Sequence, residues 1–368
     1  MNPFLPGIGD ELGPDKVVLI REARTGLEAA VVIDNVACGP AIGGVRMATD
    51  VTLEEVARLA RTMTMKNAAA GLPHGGGKSG IIADPAAPAA DKERLVRAFA
   101  RAIRSLTDYI PGPDMGTDEQ CMAWVQDEIG RAVGLPRVLG GIPLDEIGAT
   151  GLGVAIAAEV AAPEAGITLA GARVAVEGFG AVGQHAARFL AARGARLVAA
   201  SDSRGAIHDP AGLPLDALLA HKRGGKALAE FPGARALGRD ALVGVPCEIW
   251  VPAARPDTLT ADNVGRLQTK LVIQGANIPA TEPAERWMHA HHILSIPDFI
   301  ANAGGVICAA IEYHGGTQAQ AFAAIEERIR ANTHEALERA RADRVLPREA
   351  ATRMAAARVR EAMRYRRP

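Results

Sequence analysis

The chain has 368 residues, enough for two domains that each bury a core, and its 40 glycines against 4% aromatic residues suit α/β packing with close helix-to-strand contacts. A net charge of −1, a pI of about 6.8 and the lack of a basic block give no basis for a nucleic-acid or membrane-surface partner, although the C-terminal stretch is locally rich in arginine. No run approaches the roughly 20 apolar residues of a membrane span. The opening MNPFLPGIGDELGPD lacks a signal-peptide pattern, and Cys38, Cys121, Cys247 and Cys308 form no C-x-x-C pair, so a reduced cytoplasmic chain without structural metal is expected.

VVLIREA and LEAAVVIDN read as two strands, followed by an amphipathic helix over 52–70 in which Leu53, Val56, Ala60 and Met63 recur at helical spacing. Thr52 with Glu55 three residues later forms a capping box at its start. Next comes GLPHGGGKS, residues 71–79, which superficially resembles a phosphate-binding G-x-x-x-x-G-K-[ST] loop. The first glycine of that motif would fall on Leu72, and a helix rather than a buried strand precedes it, so the phosphate reading fails. The alternative is a glycine loop that folds Lys78 back towards Lys66. Two ammonium groups in one closed site depress each other's pKa, leaving one to hold a carboxylate and the other to act as a neutral base; the plainer reading is two unrelated surface lysines.

A second unit begins near residue 145. ATGLGVAIAAEVAA is an apolar helix, and residues 171–202 read as strand, glycine turn, helix, strand, with later buried strands in PCEIWVPA, KLVIQGAN and HILSIPD that argue for a parallel sheet. Gly178, Gly180 and Gly183 form G-x-G-x-x-G after RVAVE. The first glycine permits a tight turn, the second lets a pyrophosphate approach the backbone, and the third lets the helix pack on the sheet. The helix start at Ala181 and Val182 then presents free N–H groups to the phosphates. Asp202 ends the next strand, where an acid accepts hydrogen bonds from ribose hydroxyls and favours NAD; Arg204, two residues on, would suit the 2′-phosphate of NADP. HAHH, residues 289–292, lacks a second ligand group and reads as surface histidines. The tail from about 317 is a long helical pattern.

MTMKNAAAGLPHGGGKSGIIADP resembles the active-site segment of the glutamate, leucine, phenylalanine and valine dehydrogenases. The likeness continues in family order through IPGPDMGTDEQCMAW, ATGLGV, GFGAVG, CEIWVPAA, QGANIP and IPDFIANAGGV. It implies an α/β fold with an N-terminal substrate-binding and oligomerisation domain (1–140), a Rossmann-type dinucleotide domain (141–320) across a cleft, and C-terminal helices (321–368) packing back on the first. It implies a homo-oligomer that uses NAD, or NADP, to deaminate an amino acid oxidatively and reversibly to a 2-oxo acid and ammonia. Lys66 then holds the substrate α-carboxylate, Lys78 activates the attacking water, and Asp114, in a loop before a helix capped by Thr117 and Gln120, exchanges protons with the nitrogen. Thr150, Ser203 and Asn277 join the glycine turn at the cofactor.

The family's glutamate enzymes use a lysine in GP-x-K-G-G and a serine after NAGGV to hold the substrate's distal carboxylate. Here GPAIGGVRM places Ile42 at the lysine position, and NAGGVICA places Ala309 at the serine position. By the family's pattern Ile42, Gly43, Gly112, Val306 and Ala309 line a pocket for an apolar side chain, branched-chain or aromatic. Glutamate remains the alternative, as does an idle NAD-binding regulatory relative.

Overall fold

The computed structural model describes residues 7–366; the MNPFLP that opens the segment read for a leader, and the last two residues of the tail, lie outside it. The chain divides into two compact units. Unit 1 comprises residues up to 144 with 306–322 and 353 onwards; unit 2 comprises 145–305 with 323–352.

Unit 1 is built on a five-stranded sheet: β1 (Lys16–Glu22), β2 (Leu27–Asn35), β3 (Ala41–Ala48), β4 (Gly75–Ile82) and β5 (Tyr109–Pro113), in the order β1-β2-β4-β3-β5. β4 is central, antiparallel to β2 and parallel to β3. Alternation along the strands sends Ala41, Val45 and Tyr109 into a core with Phe99 of helix Ala89–Ala102 and Met122 of helix Glu119–Ile129. The other face carries helix Leu53–Ala69, where Val32, Val51, Val56 and Ala60 pack together. Thr52 caps that helix as its sequence requires, accepting from the Glu55 N–H at 3.2 Å.

The GGGK segment differs from its sequence reading. Gly75, Gly76 and Gly77 are not a loop but the first residues of the central strand. Helix Leu53–Ala69 lies so close on that strand that a Cβ at Gly76 would stand 2.0 Å from the Thr64 nitrogen. Glycine is here because a helix backbone occupies the side-chain space. The helix after Asp114 is also capped one residue later than expected: Asp118 accepts from the Cys121 N–H at 2.9 Å, while the Thr117 hydroxyl donates to the Val45 carbonyl at 2.7 Å.

Unit 2 carries a seven-stranded sheet of β6 (Arg173–Glu177), β7 (Arg196–Asp202), β8 (Gly205–His208), β9 (Arg235–Leu237), β10 (Ile249–Pro252), β11 (Leu271–Ile273) and β12 (Leu294–Ile296), in the order β12-β11-β10-β6-β7-β8-β9. The five strands from β12 to β7 are parallel, as their apolar runs suggest, but β8 and β9 extend the sheet as an antiparallel edge. Helix Ala149–Ala161 and helix Ala181–Ala192 pack beside it. The tail forms helix Gln318–Asp343 and helix Pro347–Met363.

Candidate active site

In unit 1, strand register decides what meets Lys78. Ile42 pairs with Gly76 and Arg46 with Gly80, while Gly44 pairs with Gly112. Ile42, Gly44, Arg46 and Gly112 therefore share the face of Lys78, the face covered by the helix that bears Lys66. Gly43 does not share it: a Cβ there would point to the opposite side, 1.6 Å from the Gly77 carbonyl oxygen. Lys66, in the last turn of its helix, and Lys78 are both buried, so the surface-lysine reading is set aside.

The Lys78 Nζ lies 3.0 Å from Asp114 Oδ2, and Arg46 Nε donates to the same oxygen at 2.9 Å. Arg46 continues to Glu55 on the covering helix. Gly44 is what allows the meeting, since a Cβ there would sit 2.7 Å from the Asp114 Cβ and 3.1 Å from the Lys78 Nζ. The Asp114 N–H donates to the Thr117 hydroxyl at 3.0 Å, which ties the loop to the strand. Burial pushes the Lys78 pKa below the ordinary lysine value; Asp114 opposes this and Arg46 adds to it. Burial works against ionising Asp114, but Lys78 and Arg46 outweigh it and hold its carboxyl below the usual range. Arg46 is thus a cation beside Lys78 that the sequence reading, which paired Lys78 with Lys66, did not include. Val306 and Ala309 stand three residues apart on helix Gly304–Tyr313, on one face. Glu312 anchors that helix by accepting from the N–H groups of Leu135 at 3.0 Å and Ile142 at 2.8 Å.

In unit 2, Gly178 sits at φ 91° with its N–H on the Ser201 carbonyl at 3.1 Å, and a Cβ at Gly183 would lie 2.0 Å from the Gly178 oxygen. Gly180, by contrast, has nothing within 4 Å of its Cβ position. The helix begun by Ala181, Val182 and Gly183 has no side-chain cap, so the N–H groups at its start have no capping side chain. An open approach to uncapped amides at a helix N-terminus fits a dinucleotide pyrophosphate. Asp202 ends β7 as read, but its carboxylate is engaged: it accepts from Lys222 Nζ at 2.7 Å, the Leu228 N–H at 3.0 Å and the Arg204 N–H at 2.9 Å. Ser203 is exposed and Thr150 half-buried. Asn277 is exposed, and its side-chain oxygen accepts from Asn302 at 3.1 Å. Ile278, at φ 47°, is held by its N–H on Asp298 at 2.8 Å, and Asp298 is in turn held by Arg348 at 2.8 Å. His289, His291 and His292 are exposed, and none of the four cysteines is paired.

Two family models cover most of the chain: glutamate/leucine/phenylalanine/valine dehydrogenase over 140–367, and the dimerisation domain of the same family over 15–131. The chain belongs to the glutamate/leucine/phenylalanine/valine dehydrogenase family. A glutamate dehydrogenase of Aeropyrum pernix is 39% identical over 81% of this chain and 76% of its own length. An NAD-specific glutamate dehydrogenase of Staphylococcus aureus is 38% identical over 83% and 76%. Among solved structures, hetero-hexameric glutamate dehydrogenase from Thermus thermophilus in its Leu-bound form superposes with a TM-score of 0.86 at 30% identity, covering 96% of this chain and 91% of that one. L-tryptophan dehydrogenase from Nostoc punctiforme superposes at 0.76 with 26% identity, over 96% and 98%. Like its family, the protein is an NAD(P)-dependent oxidoreductase acting on the CH–NH2 group of amino acids. No helix among the described residues is long and apolar enough to cross a membrane.

Sequence reasoning missed Arg46 and Gly44. Both stand in GPAIGGVRM, which the resemblance had already drawn attention to, but their partner is Asp114, on a loop 68 residues from Arg46 in the chain.

Proposed function

We propose that this dehydrogenase acts on an apolar L-amino acid, branched-chain or aromatic, with Lys78 as base and Asp114 as proton carrier. The observation that carries the substrate reading is Ile42 on the Lys78 face of the sheet, where the family's glutamate enzymes carry a lysine. A distal carboxylate brought to that apolar position without its cation loses several kcal/mol. Ala309, on the same helix face as Val306, removes the serine that would share the task. The L-tryptophan dehydrogenase that shares this fold supports the view that the scaffold can serve an apolar amino acid. Glutamate is the second reading, favoured by the names of the relatives at 38–39% identity.

In this reading Lys66 takes the α-carboxylate, and the pocket is formed by Ile42, Gly112, Val306 and Ala309. The turn Gly178–Gly183, with Asn277 and Thr150, would hold a nicotinamide dinucleotide, which would supply the hydride acceptor. Lys78 takes a proton from water attacking the iminium carbon, and that proton passes from Lys78 by way of Asp114, 3.0 Å away, to the nitrogen, which leaves as ammonia. Arg46 keeps Asp114 ionised while Lys78 gives up and regains its proton, so the carboxylate does not have to hold the lysine charged in order to remain an anion itself. Residues 1–140 serve substrate binding and self-association, 141–320 dinucleotide binding, and the protein works as a cytoplasmic homo-oligomer.

A spectrophotometric scan of nicotinamide reduction with the twenty amino acids, run with NAD and with NADP, tests the reading. Signal with leucine or phenylalanine and none with glutamate is expected. Signal with glutamate alone overturns the pocket assignment, and silence with all points to an idle relative.

A further inference from the structure

Ile278 is a β-branched residue at φ 47°, in the left-handed region that such side chains rarely occupy. A strained backbone persists only where its surroundings over-determine it, and such positions gather at ligand clamps. The residue before it is Asn277, exposed and already read as a dinucleotide ligand. This segment follows β11, which lies on the β10 side of β6, whereas β7 lies on the other. A doubly wound sheet takes one mononucleotide on each side of the glycine-turn strand. With the adenosine ribose at the end of β7, the loop after β11 serves the nicotinamide half.

Apart from the Asp257 N–H on the Ile278 carbonyl at 3.0 Å, what holds this segment converges on one side chain. The Ile278 N–H donates to Asp298 Oδ2 at 2.8 Å, and Asp298 Oδ1 accepts from Arg348 at 2.8 Å. The same guanidinium donates to Gln274, the residue that leads into the segment, at 2.7 Å, and to both oxygens of Glu285 at 2.7 and 2.8 Å. Gln274, Glu285 and Asp298 are all buried. Residues 275–277 lie between the two fastenings, where Asn302 donates to the Gly275 and Ala276 carbonyls and to Asn277 Oδ1, its own N–H resting on the Asp298 carbonyl at 2.7 Å. One planar fork thus serves acceptors on three separate stretches of chain. A lysine, which offers a point charge, cannot present donors in those fixed directions.

We infer that Arg348 is a positioning residue for the cofactor: by fixing Gln274 and Asp298 it keeps residues 275–278 in the conformation that presents Asn277 to the nicotinamide half of the dinucleotide. It acts through Asn277 and not by its own contact. The inference rests on the reading of Asn277 as a dinucleotide ligand and is independent of the substrate and of Lys78.

The test is calorimetric titration of the full-length protein with NADH and, separately, with ADP, which lacks the nicotinamide half. The wild type is compared with Arg348→Lys, Asn277→Ala and the double variant, with thermal melting to establish that each is folded at the titration temperature. Each single change should weaken NADH about fivefold or more, the worth of about one hydrogen bond, and leave ADP within about twofold. The double variant should bind NADH within about twofold of Asn277→Ala alone, because Arg348 has nothing left to act through. Packing support alone would lower the melting temperature without this selectivity. Should Arg348→Lys not fold, Asp298→Asn takes its place with the same expectations, since it weakens the bond to Arg348 yet leaves Glu285 paired. Unchanged NADH affinity in the Arg348 variant, equal losses for NADH and ADP, or losses that add in the double variant overturn the inference while leaving Asn277 its role. An Asn277→Ala protein that binds NADH like the wild type removes the reading of Asn277 and the inference together.

Discussion

The glycines of β4 and those of the β6 turn do opposite things with the same missing side chain. At Gly76 the vacated volume is filled by the protein's own helix, with Thr64 backbone where a Cβ would be; at Gly180 it is left open. The first arrangement makes a dry wall against which a lysine is buried and its pKa lowered. The second leaves room for a ligand's phosphates. A glycine-rich stretch therefore signals chemistry of either kind, and what distinguishes the two is which atoms occupy the space.

Substitutions at these positions put the difference to the test. The largest effect is expected at Lys78→Ala, which should lower kcat by about 10²–10⁴-fold, the usual worth of a positioned acid–base group, while calorimetric affinity for the dinucleotide stays unchanged. Retained turnover would remove Lys78 from its role. Gly76→Ala should cost about 3 kcal/mol or more in denaturant unfolding, because helix backbone must move to admit a methyl group. Gly180→Ala should melt like the wild type yet bind the dinucleotide about tenfold or more weaker; a destabilised Gly180→Ala that binds normally would reverse the contrast.

Arg46→Gln tests the wall's electrostatics. Arg46 lowers the Lys78 pKa, so removing it raises that pKa, and the rising limb of kcat/KM against pH, where the lysine loses its proton, should move to higher pH. An unmoved or acid-shifted limb would contradict the assignment. Ile42→Lys should shift the kcat/KM ratio towards glutamate over leucine, read directly from the two rates. The smallest effect is expected at Thr52→Ala: about 1 kcal/mol of stability from a lost helix cap, with activity per folded molecule retained.

What was legible in the chain followed from how local each signal is. The Thr52 cap and the Gly178–Gly183 turn are written in a few consecutive residues, and both could be read. GGGK was misread as a loop because glycine in a central strand is explained by a helix packing across it, which local spacing does not display. Arg46 escaped for a related reason: its meaning lies in sharing one oxygen of Asp114 with Lys78, a meeting made by β3 pairing with β4 and β5. Asp202 was correctly placed at a strand end, but its donors Lys222 and Leu228 arrive from 20 and 26 residues downstream, so its occupancy could not be seen.

The catalytic role of Lys78 depends on its being a buried amine whose proton is loosely held. It can be tested by following the Lys78 ε-carbon through a pH titration by NMR in lysine-labelled protein, with Lys78→Met identifying the resonance. A midpoint below the roughly 10.4 of an unperturbed lysine is the result the structure predicts. A midpoint at or above that value would show that the Asp114 ion pair, rather than burial and Arg46, governs the group, and would contradict its assignment as the base.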